Sequence, residues 1–167
     1  MFDRHTEKAR RAIFFARYEA SQCGSSSIET EHLLLGLVRE DKRLMYVLLT
    51  QEGVAHICSV LRSGSAGKEK VSTSIDMPLS EGCTNTLHEA AKQADRHSDQ
   101  HISTEHLLLG LLPQKASLAA QLLIQHGVTQ ERVLQALKKP PSAERPTTDA
   151  PKKRLNPPPP WSWPDAT

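Results

Sequence analysis

The sequence is poor in aromatic residues, cysteines and long apolar runs. Aromatics make up 4% of its 167 residues, so a core must be built from Leu, Ala, Ile and Val, which favours packed helices. The three cysteines are odd in number and include no CxxC pair, which argues against a disulfide framework or a zinc site. No apolar run approaches the roughly 20 residues that span a bilayer, and residues 1–20 lack a signal-peptide core. We therefore expect a cytoplasmic protein without a membrane partner.

Charge and catalytic motifs are also scarce. The net charge is +2, and residues 138–167 carry six basic against three acidic side chains, which leaves residues 1–137 at −1. A nucleic-acid surface needs clustered Lys and Arg, so we expect no nucleic-acid partner. There is no G-x-S-x-G motif and no complete phosphate-binding loop. Cys23, Cys58 and Cys83 have the apolar helical neighbours of core residues. We predict no catalytic residue, no cofactor and no enzymatic activity.

The sequence does contain an internal repeat. Thr30–Leu37, with the sequence Thr-Glu-His-Leu-Leu-Leu-Gly-Leu, recurs without a mismatch at Thr104–Leu111, an offset of 74 residues from 30 to 104. Self-similarity at a fixed offset is the signature of a repeat architecture. Apolar residues recur at helical spacing in both halves. The predicted fold is all-α, with two tandem pseudo-symmetric four-helix repeats, about eight helices in total, and no strand.

Changes in composition give the domain boundaries. A polar segment with two glycines separates the repeats, and nine of the eleven prolines follow the second repeat. A segment so rich in proline cannot keep a helical period, so we predict a disordered, proline-rich tail. The predicted divisions are repeat 1 at 1–62, a linker at 63–76, repeat 2 at 77–137 and the tail at 138–167.

Two helix boundaries depend on single residues. The third helix is predicted over about residues 42–51, with a stop at Gly53, and a short fourth helix follows over about 55–62. Pro78 is expected in the first turn of the helix that opens repeat 2, where a missing N–H costs nothing.

The tail ends in a feature of its own. Four consecutive prolines, Pro157–Pro160, precede Trp161-Ser162-Trp163. Proline runs beside aromatic residues are typical of ligands for aromatic grooves, and Lys152-Lys153-Arg154 would attract an acidic partner. We therefore expect a groove-type partner for Pro157–Trp163; the alternative is an unstructured tether.

Histidines gather near the second copy of the repeated segment. His97, His101 and His106 are interspersed with acidic residues, but their spacing matches no zinc pattern. No metal site is predicted.

The residues from Phe2 and Thr6-Glu7 through Gly24 to Thr30–Glu40 resemble the N-terminal domain of the Clp unfoldases, especially the ClpC type, and residues 78–137 repeat the pattern. A Clp unfoldase continues into ATPase modules, whereas this sequence continues into the tail, so the resemblance is to a stand-alone N-domain. The resemblance implies a non-catalytic, protein-binding domain that docks substrates and adaptors and modulates or assists Clp-dependent proteolysis. The implied partners are a Clp-type unfoldase or protease, or its substrates and adaptors.

The resemblance also implies a phosphoarginine site in each repeat. The matching residues are Thr30 and Glu31 in repeat 1, and Thr104 and Glu105 in repeat 2. The chemistry suits this ligand, because a helix N-terminus attracts a phosphoryl group and a glutamate can bind the guanidinium. The alternative is that each threonine simply caps its helix.

The two sites depart from the family pattern in different ways. ClpC-type domains usually have glycine directly before Thr-Glu-His, and here Glu29 and Ser103 stand in that place. A carboxylate at Glu29 would repel a phosphate, whereas Ser103 can donate a hydrogen bond, so the second site is favoured even though Asp99 adds negative charge nearby.

Further expectations follow from the resemblance. Phe2 and Thr6 are implied to form a partner-binding surface, although Asp76 at the position equivalent to Phe2 breaks its symmetry, and Phe2 could instead simply pack on the first helix. The histidine of Thr-Glu-His is expected to be hydrogen-bonded between the repeats. The alternative function is a helical scaffold or regulatory module whose ligand pockets have decayed and whose tail recruits partners.

Overall fold

A computed structural model describes residues 2–64 and 67–138 of the chain. Within them the chain forms eight α-helices, and its β-type pairings amount to isolated bridges, so the predicted all-α fold is confirmed. Residues up to Leu137 form one compact unit. The predicted tail, apart from Lys138, lies outside the described residues. The helices are α1 (Glu7–Gln22), α2 (Thr30–Glu40), α3 (Lys42–Leu48), α4 (Gln51–Ser63), α5 (Glu81–Arg96), α6 (Thr104–Leu111), α7 (Leu118–Gln125) and α8 (Gln130–Lys138).

The predicted end of the third helix is wrong. The helix ends at Leu48 rather than near Gln51, and Gly53 lies inside α4. The hydroxyl of Thr50 accepts the N–H of Gly53 at 3.0 Å, so it caps a new helix there. In repeat 2 the equivalent residue is Ile124, which has no side-chain oxygen, and α7 continues through it.

Pro78 is also misplaced by the prediction. The helix that opens repeat 2 begins at Glu81, behind the N-cap Ser80, so Pro78 lies before its first turn. The carbonyl oxygen of Pro78 accepts the N–H of Ile28 at 2.8 Å. Proline therefore serves as an acceptor in a contact between the repeats.

Two isolated parallel bridges connect the repeats, His5 with Ile102 and Ile28 with Leu79. They are equivalent under the offset of 74, because His5 corresponds to Leu79 and Ile28 to Ile102. Each bridge joins the residues before the first helix of one repeat to those before the second helix of the other. The start of α2 therefore lies beside that of α5, and the start of α6 beside that of α1.

The glycine of the repeated segment lies at a close helix crossing. A Cβ atom built on Gly36 would lie 2.2 Å from the carbonyl oxygen of Ala12, and one on Gly110 would lie 2.3 Å from that of Thr86. The leucines beside both glycines are buried in one continuous core. The repeated segment therefore fixes the packing of α2 on α1 and of α6 on α5.

Among the described residues, no single helix is long and apolar enough to cross a membrane, although the bent pair of α3 and α4 meets that test jointly by length and composition. Met45 and Leu48 of α3 and Ile57 of α4 are buried in the core.

Candidate binding sites at the repeated helix starts

A histidine organises the start of each repeated helix. The Nδ1 atom of His32 accepts the N–H of Glu29 at 2.9 Å, and that of His106 accepts the N–H of Ser103 at 2.9 Å. The side chains of Glu29 and Ser103 in turn accept a backbone N–H, which completes a capping box with histidine at its third position. Each histidine bonds within its own repeat, so the predicted hydrogen bond between the repeats is wrong.

Burial favours the neutral form of both histidines. It lowers the pKa of His32 and of His106, and this outweighs the opposing influence of nearby carboxylates such as Glu31 and Asp99. With Nδ1 as an acceptor, the proton lies on Nε2, which in His106 is 3.0 Å from Oδ2 of Asp99. Both ring nitrogens of His106 therefore have structural partners. Within the described ranges no group of three or more metal-binding side chains comes together.

The first helix start is occupied by carboxylates. Glu29 is the N-cap of α2, and its carboxylate also accepts the hydroxyl of Ser27 at 2.7 Å. Thr30 is the first helical residue and its side chain is not the cap; its buried hydroxyl donates to Oε2 of Glu31 at 2.7 Å. The capping alternative for Thr30 is therefore wrong. Lys68 of the linker lies close enough to help lower the pKa of His32, so one cation is near this start.

The second helix start differs in its cap and in its neighbours. Here the cap is the neutral hydroxyl of Ser103. The buried Thr104 hydroxyl donates to Oδ2 of Asp41 at 2.7 Å and lies 3.2 Å from Oε2 of Glu105. Capping is therefore not the role of Thr104 either. The ammonium of Lys8 lies 3.8 Å from Oδ1 of Asp41, so a cation also faces this start.

Sequence reasoning missed Asp41 and Lys8. Asp41 is recognisable as the cap of α3, since it precedes Lys42-Arg43-Leu44 and accepts the N–H of Leu44 at 3.1 Å. Its bond to Thr104 crosses from repeat 1 to repeat 2, and no local pattern in the sequence reports it. The position equivalent to Asp41 in repeat 2 is Lys115, so the two starts are not equal.

The predicted surface at Phe2 and Thr6 lies next to the second start. The Thr6 hydroxyl caps α1 by accepting the N–H of Ala9 at 3.1 Å. The backbone N–H of Thr6 donates to the carbonyl oxygen of Ile102 at 2.9 Å. Phe2 is half-buried, with its ring edge-on to His5 at 5.2 Å between centroids. Both residues therefore hold the chain in place beside α6.

These features define a class of protein, an all-helical domain made of two copies of one repeat with a polar helix start in each copy. Residues 78–159 match the family model of the Clp repeat N-terminal domain. The negative regulator of genetic competence ClpC/MecB of Bacillus subtilis is 31% identical over 153 residues, which cover 82% of this chain and 17% of that protein. The chloroplastic chaperone ClpD of Arabidopsis thaliana is 36% identical over 139 residues, which cover 76% of this chain and 15% of that protein.

Solved structures agree with these relatives. The crystal structure of the N-terminal domain of ClpD from Arabidopsis thaliana superposes with a TM-score of 0.65 at 27% identity, covering 83% of this chain and 97% of that one. The ClpV N-domain in complex with a VipB peptide shares the fold with a TM-score of 0.64 at 15% identity, and the match covers 81% of this chain and 86% of that one. The chain therefore carries a Clp repeat N-terminal domain. It spans 17% or less of the curated relatives named above.

Proposed function

We propose that this chain is a non-catalytic docking domain for proteins that enter Clp-dependent proteolysis, namely a Clp-type unfoldase or its substrates and adaptors. We place it in the cytoplasm, where the three free cysteines Cys23, Cys58 and Cys83 would stay reduced. Clp N-domain architecture supports the docking role, and the ClpV N-domain with its VipB peptide is a precedent in a distant relative.

We further propose that the second helix start recognises phosphorylated arginine. The observation that carries this proposal is the cap of α6, where a neutral Ser103 hydroxyl leaves the helix dipole open to a phosphoryl group. Lys8 would add a positive charge on the phosphoryl side, and half-buried Glu105 would take the guanidinium through a charge-assisted contact.

Asp41 opposes phosphate binding at this site. Its carboxylate already accepts the Thr104 hydroxyl and lies beside Lys8, so a phosphoryl group must compete with it for both partners. We expect Asp41→Asn to strengthen binding of a phosphoarginine peptide, because the amide removes the repulsive charge. Asparagine also remains a good N-cap for α3.

Calorimetric titration of the full chain tests these sites. The ligand is a short peptide with one phosphoarginine, and the same peptide with unmodified arginine is the control. We expect Glu105→Ala to weaken binding about tenfold, since a charge-assisted hydrogen bond contributes about 1.4 kcal/mol or more. Glu31→Ala, the matched change at the start filled by Glu29, should have a smaller effect. Unchanged affinity after Glu105→Ala would remove the second site from the proposal.

One observation favours the alternative function for repeat 1. The Glu29 carboxylate occupies the start of α2, where a phosphoryl group would bind, which is what a decayed pocket would look like. If the phosphoarginine peptide binds neither wild type nor Asp41→Asn, the scaffold hypothesis is the better account of both repeats.

A further inference from the structure

The aromatic residues of the described chain are concentrated on one helix. Phe14, Phe15 and Tyr18 all lie on α1, in a protein where aromatics make up 4% of the residues. Phe14 is 65% exposed and Tyr18 is 37% exposed. Because these two residues are four positions apart, they lie on the same face of the helix. A contiguous group of exposed aromatic rings, unlike a single exposed apolar side chain, is a marker of an interaction surface.

Arg39 of α2 completes this surface. Its guanidinium lies 4.7 Å from the ring centre of Phe15 and 5.0 Å from that of Tyr18, and the rings of Phe14 and Phe15 meet edge-on at 5.8 Å. We call Phe14, Phe15, Tyr18 and Arg39 the aromatic ridge. The stacked guanidinium holds two of the rings in place, so a partner would meet a surface that is already ordered.

The linker is hydrogen-bonded to α1 at a residue adjacent to the ridge. The Nη2 atom of Arg17 donates to the carbonyl oxygens of Thr73 and Ile75, both at 2.8 Å. Ile75 is itself 54% exposed, and Arg17 is the neighbour of Tyr18 in α1. The bonds from Arg17 therefore hold against α1 the linker segment that carries this exposed apolar side chain.

Repeat 2 provides an internal comparison. The residues equivalent to Phe14, Phe15, Tyr18 and Arg39 under the offset of 74 are His88, Glu89, Lys92 and Pro113. Helix α5 thus presents polar and charged side chains where α1 presents aromatic ones. The shared fold does not require aromatic residues at these positions, so packing does not explain the ridge.

Positive charge surrounds the ridge. Arg10, which is exposed, precedes Phe14 by one helical turn. The two Arg17 bonds go to carbonyl oxygens, which do not neutralise its charge. Arg39 lies 3.9 Å from Glu19, but Arg62 already contacts that carboxylate at 2.7 Å. Acidic groups on a ligand of the ridge would therefore be attracted by several neighbouring cations.

We propose that the aromatic ridge is a docking surface for a partner segment that combines apolar and acidic side chains. Its apolar groups would cover Phe14 and Tyr18, and its carboxylates would pair with Arg10 and Arg39. A second copy of this surface is a poor occupant, because two identical ridges would bring like charges together. The ridge is distinct from the helix starts, so this inference stands whether or not those sites bind phosphoarginine.

Fluorescence anisotropy with the full chain tests the ridge. The probe is a labelled peptide in which Leu and Phe alternate with pairs of Glu, and its charge-reversed counterpart carries Lys in place of Glu. The test variant combines Phe14→His with Tyr18→Lys, the residues that α5 presents on the same face. We expect the acidic probe to bind wild type and to bind this variant at least about tenfold more weakly. Binding should also weaken as ionic strength rises.

Matched controls make the result decisive. Ile124→Lys removes another exposed apolar side chain, on α7, and should leave the affinity for the acidic probe unchanged. Thermal unfolding of each variant verifies that it folds, as expected for changes at exposed positions. Equal binding by wild type and the Phe14/Tyr18 variant, preference for the charge-reversed probe, or displacement of the probe by a phosphoarginine peptide would each overturn the proposal. A dimer that depends on Phe14 in sedimentation would also overturn it.

Discussion

Gly36 and Gly110 lie where two helix backbones nearly touch. At both positions the nearest obstacle to a side chain is a backbone carbonyl of the neighbouring helix, which cannot rotate away as a side chain can. Glycine is therefore required by packing at these positions, independently of any ligand. Their role differs from that of Thr104 and Glu105, whose side chains can exchange hydrogen-bond partners.

Gly110→Ala tests this reading of the repeated segment. The added methyl group would lie 2.3 Å from the carbonyl of Thr86, so α5 and α6 must move apart. We expect a loss of about 2 kcal/mol in the free energy of unfolding, measured by urea denaturation. Gly64→Ala is the control, because no described atom beyond its chain neighbours lies within 4 Å of its added Cβ, and the free energy of unfolding should change by no more than about 0.5 kcal/mol. Equal effects of the two substitutions would contradict the packing argument.

At the scale of the helix, the starts of α2 and α6 depend on neutral histidines. In each capping box Nδ1 must be unprotonated to accept the N-cap N–H. Because burial lowers the pKa of His32 and His106 below the unfolded value of 6.5, the unfolded state binds protons more readily. Their contribution to stability is present above that value and is lost as the pH falls below it.

His106→Gln should remove part of this pH dependence. Glutamine at the third position of a capping box can still reach the N-cap N–H, but it does not titrate. We expect the stability of wild type to fall between about pH 7 and pH 5, and that of the variant to fall less. The measurement is urea unfolding at several pH values. The interpretation fails if both proteins lose the same free energy over that range.

The sequence predicted the starts of α2 and α6 correctly, whereas the predicted starts of α4 and α5 were displaced. The repeated segment and its helical periodicity placed the beginnings of α2 and α6, because those signals are local. The predicted end of α3 was wrong because it relied on Gly53 as the stop, whereas Thr50 already caps the next helix. The hydrogen bond from Thr104 to Asp41 could not be predicted from the sequence, since it depends on how the two repeats pack.

At the scale of the whole domain, the repeats are not separable. Each of the two equivalent bridges pairs one residue of repeat 1 with one residue of repeat 2, and both repeats contribute to one continuous core. The hydrogen bond between Thr104 and Asp41 also crosses between the repeats. In a solenoid, each repeat has a stability of its own to which the interfaces with its neighbours are added. Here the residues that precede the helices of one repeat are paired with residues of the other.

We therefore predict that both repeats unfold in one cooperative step. Native-state hydrogen exchange of the slowest amides in α2 and α6 should give the same free energy of opening. Gly110→Ala, although it lies in repeat 2, should lower both values equally. If α2 keeps its protection while α6 loses it, the repeats are independent folding units and the cooperative interpretation is wrong.

Docking in Clp-dependent proteolysis is the central claim, and purification from the protein's own cells tests it most directly. The tagged full chain would be crosslinked and isolated with unfoldases trapped in their nucleotide-bound state, and quantified against a tagged chain with Glu105→Ala, Phe14→His and Tyr18→Lys combined. We predict that a Clp-type unfoldase, its protease subunit or phosphoarginine-bearing proteins are enriched with wild type over this variant. If none of these is enriched over the variant, the claim is contradicted.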